Sequence, residues 1–108
     1  MSLIVASLSY EVIEALCPLV PRIKRHDRSL ADQILRAASS VALNIAEAEH
    51  SDPGNRKARF YTAAGSANES LAALRVAAAW GCFPKEEAEV AEALIRRVIA
   101  MLWKLTRG

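Results

Sequence analysis

Glu47 and His50 stand three residues apart, the Glu-x-x-His spacing that puts a carboxylate and an imidazole on one helix face in di-iron bundles. Such a centre needs a second copy of the motif and two more glutamates from facing helices. This chain has two histidines and one such motif, so the pair reads as a solvated helix end. Cys17, His26 and Cys82 fall near one end of an antiparallel bundle and are the one combination with zinc chemistry. A structural zinc site draws four ligands at short local spacings, which are absent, so the thiols read as free. Arg22 and His26, four apart, resemble the Arg and His of small helical ribonucleases. Pro21 interrupts that helix, and no base or orienting group stands near. Ser39, Ser40 and Ser66 have no His or Lys partner to make a nucleophile of them. The expectation is a protein without catalytic residues, metal or cofactor.

A different polar set is better organised. Arg36, Ser40, Asn44 and Glu47 follow at steps of four, four and three, which aligns them along one helix surface. Leu30, Ile34, Ala38, Val41 and Ile45 form the apolar stripe beside them. A polar line so close to a buried seam is expected to meet a second surface.

The elements that must hold these residues are helical throughout. Over half of the 108 residues are apolar and a quarter charged, enough for a single domain over residues 1–108 with one core. Twenty-one alanines against six aromatics favour closely packed helices. The first helix runs from Leu3, with a kink or early stop expected near Leu16–Pro18 because Pro18 and Pro21 interrupt it. The second runs to about Glu49, capped by Ser29 with Asp32 reaching back. Asp52-Pro53-Gly54 makes a turn, Asn55 caps, and the third helix covers about Arg56 to Trp80. Gly81 suits a left-handed helix end, and Pro84 opens a fourth helix whose inward stripe is Val90, Leu94, Val98, Met101, Leu102 and Leu105. Short joints make neighbours antiparallel, so the expected fold is all-α: an up-down-up-down, left-handed four-helix bundle. With the turn centred near Asp52, Arg36 faces Glu69 and is expected to bond it, within one subunit or across two, Ser40 faces Gly65, and Glu47 lies near Lys57. Gly65 among Ala63, Ala64 and Ala67 predicts a close backbone approach.

QILRAASSVALNIAE resembles the second-helix signature of the 23S ribosomal RNA intervening-sequence proteins, also known as four helix bundle proteins. The matching residues are Gln33, Arg36, Ala37, Ala38, Ser40, Asn44, Ile45, Ala46 and Glu47. The third-helix signature falls on Ala64, Gly65, Ser66, Glu69 and Leu74, and Gly81 matches the glycine before the fourth helix. The glycine that usually follows Asn-Ile-Ala-Glu is Ala48 here, which extends the helix. The resemblance implies a short bundle assembled into rings of five. Related proteins that accompany retroelements bind nucleic acid and a reverse transcriptase, so the resemblance also implies a nucleic-acid or protein partner.

Charge and exposure add their own expectations. The formal net charge of +2 decides nothing by itself. One pole collects Arg56, Lys57, Arg59, Lys104 and Arg107 against Glu47, Glu49 and Asp52, and is the expected nucleic-acid surface. At the other pole Arg22, Lys24, Arg25 and Arg28 are offset by Asp27, Asp32, Glu86, Glu87 and Glu89. Trp80, Ile99 and Trp103 fall off the inward stripes and are the expected oligomer interface. The longest apolar run, Val76 to Phe83, is too short to span a bilayer, and the start lacks a basic leader, so a cytoplasmic protein with reduced thiols is expected. The leading reading is a non-catalytic homo-oligomeric scaffold for nucleic acid or a nucleic-acid enzyme. A small helical ribonuclease and a purely structural adaptor are the alternatives.

Overall fold

Apolar residues three and four apart set the course of the chain. In the computed structural model, which describes residues 2–107, helix α1 covers Ser2–Leu16 and buries Val5, Leu8, Val12 and Leu16. Pro18 cannot donate to that helix, and the chain bends by 51° before α2, Val20–His26. Of the kink or early stop expected near Leu16–Pro18 it is the stop that occurs, and the described residues form five α-helices where four were expected. α3 is Arg28–Glu49 and α4 is Pro53–Ala79. A 3₁₀ turn over Lys85–Ala88 leads into α5, Glu89–Arg107.

The caps differ from the sequence reading in which side chain acts. Asp27, not Ser29, starts α3, accepting bonds from the Ser29 and Leu30 amides at 2.9 and 3.2 Å. Asp52, not Asn55, starts α4, accepting from the Asn55 amide at 3.0 Å with Pro53 in the first turn. Both corrections have one cause. Aspartate's short carboxylate reaches the free amides two and three residues on and carries the charge that a helix start favours. Gly81 closes α4 at φ +77°, as its position predicts.

The helices pack antiparallel: α3 against α4, α4 against α5, α5 against α1, and α1 with α2 against α3. Ile23, Ile34, Ile45, Leu74, Ile95 and Leu102 lie at the centre, with alanines such as Ala63, Ala67 and Ala77 letting the axes approach. The buried face of α5 runs through Ala91, Ile95, Val98 and Leu102, and Val90, expected inside, lies about 100° round the helix from Ala91 and is 68% exposed. Gly65 is exposed, and a Cβ there would meet nothing within 4 Å, so the close approach expected at this glycine is not made within the chain. Among the described residues no single helix is long and apolar enough to cross a membrane. α1 and α2 pass that test only as a bent pair, and one face of them, with Val5, Leu8, Val12, Leu16 and Ile23, is buried in this protein's own core.

Candidate nucleic-acid interface

The α3–α4 joint is held by its own cations. Arg56, in the first turn of α4, points its guanidinium back at the carbonyls of Ala48 (3.2 Å) and Ser51 (3.4 Å). The Ala48 carbonyl is one that the end of α3 leaves without a helical partner, and Ser51 lies in the joint itself. One turn on, Arg59 pairs with Glu47 at 2.9 Å and reaches the Asn44 side-chain oxygen at 3.5 Å. Asn44 donates to the Ser40 hydroxyl (3.1 Å) and the Ser40 carbonyl (2.9 Å), and Ser66 on α4 donates to the Ser40 hydroxyl at 2.9 Å. The aligned residues of α3 thus form a continuous polar ladder to α4: Ser66, Ser40, Asn44, Arg59, Glu47.

This ladder corrects the expected pairings. The Ser40–Ser66 and Glu47–Arg59 pairs set α4 one to two residues further along than a turn centred on Asp52 does. Arg36 and Glu69 are both exposed and share no hydrogen bond or ion pair, and Glu47 takes Arg59 rather than Lys57. Register decided this, because a slip of one residue rotates a helical side chain by about 100°. At the joint the Asn55 amide and side chain both bond Asp52, at 3.0 and 2.7 Å. These bonds, the backbone one foremost, hold the Asp52 carboxyl below its usual range.

Of the five cations expected to bind phosphate, two are therefore structural. Lys57, Lys104 and Arg107 are exposed and have no ion-pair partner among the described residues. The Arg107 guanidinium lies 4.4 Å from the centre of the Trp103 ring, a cation–π stack. Tyr61, exposed on α4, reaches the Thr106 carbonyl of α5 at 3.5 Å. One end of the molecule thus presents Lys57, Lys104 and Arg107 with two open aromatic rings, neither of which the sequence reading placed at this surface. Interleaved Tyr61 and Trp103 at the two helix ends were the available signal, legible only once the α4–α5 register is known. At the far end Arg22 is paired with Glu87, as the charge balance there suggested.

The expected oligomer surface does not form one patch. Ile99 is half-buried against the core, while Trp80 is 74% and Trp103 55% exposed. Trp80 follows the end of α4, whereas Trp103 lies beside its beginning, some ~28 Å away at 1.5 Å per residue. A larger apolar surface lies elsewhere. The break between α1 and α2 opens a groove of about 360 Å³ against α3, lined by Ile13, Cys17, Val20, Pro21, Leu35 and Ala38 among others. Exposed Tyr10 on α1 and Leu43 on α3 extend it along both helices. Cys17 lies at this groove, while Cys82 lines a separate cleft with His26 and Trp80, so the three zinc-capable residues are divided between two places.

The fold and this site define a class: an all-α protein of five antiparallel helices with a cationic, aromatic end and an apolar flank. Over residues 1–104 the sequence matches the 23S rRNA-intervening sequence proteins, and the chain belongs to that family. Among solved structures it is similar to a protein of unknown function from the S23 ribosomal protein family of Bacteroides thetaiotaomicron. That structure superposes with a TM-score of 0.83 at 19% identity, over 96% of this chain and 99% of the other, a likeness of fold. No curated protein matches the sequence.

Proposed function

We propose that this protein is a non-catalytic, homo-oligomeric binding module for nucleic acid, built as a left-handed up-down-up-down bundle in which α1 and α2 form one bent arm. The observation that carries it is the uncommitted charge of Lys57, Lys104 and Arg107 at one end. Repeating that end around a symmetry axis sums the charge, and phosphate binding responds to the sum. Assembly is assigned to the α1/α3 flank, because Tyr10, Ile13, Leu35 and Leu43 leave an apolar strip that a single copy does not cover. A ring of five is the expected stoichiometry, and the cytoplasm the expected place.

Alanine at Lys57, Lys104 and Arg107 together tests the reading. Affinity for RNA should fall by more than about tenfold at moderate salt, with the salt slope reduced by roughly one per lost phosphate contact. Binding that is unchanged in this variant excludes the cationic end. Hydrolysis of the RNA would establish a ribonuclease instead, and no binding at any salt would leave a structural adaptor.

A further inference from the structure

We infer that the end carrying Tyr61 and Trp103 is a stacking platform for unpaired nucleobases, so the nucleic acid taken by this protein is single-stranded. The inference rests on the nucleic-acid reading above and specifies its substrate class. Tyr61 and Trp103 are 56% and 55% exposed although they are two of only six aromatic residues. Large rings so open to water forgo the stabilisation that burial brings. They are also positioned. The Tyr61 hydroxyl meets the Thr106 carbonyl, fixing its ring beside the last turn of α5, and Arg107 stacks on Trp103 four residues before it. Thr106 is itself held by its hydroxyl bonds to the Leu102 and Trp103 carbonyls, both 3.0 Å.

This set matches what a flexible single strand offers. Its bases have free faces that stack on tyrosine, tryptophan and guanidinium planes, and its phosphates seek cations beside those rings. In a duplex the same faces are covered by neighbouring base pairs, and only phosphates remain to be bound. Lys57 and Lys104 supply phosphate contacts at the same end, while Arg107 offers both a charge and a stacking plane. The rings read base faces rather than sugar hydroxyls, so single-stranded RNA and DNA of one sequence should bind alike.

Because the chain has two tryptophans, W80F leaves Trp103 as the sole indole reporter. The full-length W80F protein is titrated with a dye-labelled 12-nucleotide single strand and with the duplex it forms with its complement. Dye anisotropy reports binding and indole emission reports stacking. The single strand should bind at least about tenfold more tightly and quench Trp103, while duplex leaves the emission unchanged. Y61A should weaken single-strand binding about five- to a hundredfold at unchanged helicity, and W103A, in the native Trp80 background, should do the same. Binding without quenching, equal affinity for duplex, or full affinity in Y61A overturns the stacking platform while leaving nucleic-acid binding intact. Failure to bind either form overturns both.

Discussion

Ser40 is the joint of the polar ladder, since its hydroxyl receives bonds from both Ser66 on α4 and Asn44 on its own helix. Ser40→Ala leaves two half-buried donors without that acceptor and should cost about 1 kcal/mol. In a chain of this size that lowers Tm by roughly 4–8 °C in a thermal melt. Asn44 and Glu47 were legible as partners because spacing alone aligns them on α3. Their contacts across to α4 were not, because a residue's opposite number depends on the exact turn at Asp52. The Asp52 carboxyl is held below its ordinary value by the Asn55 amide, so its contribution to the helix start is complete above the ordinary carboxylate pKa. It is lost as pH falls through the lowered value. An NMR titration should find Asp52 titrating below the ordinary aspartate value, and in Asn55→Pro, which removes both the amide and the side-chain donor, a rise towards it.

At the level of the helix, patterning served best where one side chain points inward at each turn. The interior of α3 and the end of α4 at Gly81 follow from sequence. The start of α5 did not, because its inward face is set by Ala91 and Ile95 and the more apolar-looking Val90 falls outside it. The apolar flank is not legible in sequence because the groove exists only where the chain breaks at Pro18 and α2 swings against α3 beside Leu35, a bend whose direction no residue pattern gives. Leu35→Glu therefore places a charge on an exposed position and should dissociate the oligomer without loss of helicity, checked by light scattering beside circular dichroism. Retained assembly would exclude this flank. Gly65 gives the converse case. With open space where a Cβ would stand, Gly65→Ala should stabilise α4 by about 0.4–1 kcal/mol, and a thermal melt should show Tm rising. A fall in Tm would mean that another copy packs on that face of α4.

The whole molecule, 42 Å long and about half as wide, separates its two kinds of surface. Its flank is apolar and suited to self-association, and one end carries free cations and open rings. At the far end Arg22 pairs with Glu87, and the exposed Lys24, Arg25 and Arg28 stand among the acids Asp27, Asp32, Glu86 and Glu89, so its charge is offset by composition rather than by ion pairs. Arg56 and Arg59 show why a count of charges in sequence overstates a binding site: both satisfy carbonyls or carboxylates at the joint, leaving Lys57, Lys104 and Arg107 to act outward. On the proposed reading, such a module holds nucleic acid through phosphate contacts and leaves it intact. The most direct measurement is a titration of the assembled protein with labelled RNA across a salt series, with the RNA recovered and sized at the end. The expected result is affinity that falls steeply and linearly on a log–log plot of salt, with full-length RNA recovered. Affinity independent of salt, absence of binding at low salt, or shortened RNA would contradict it.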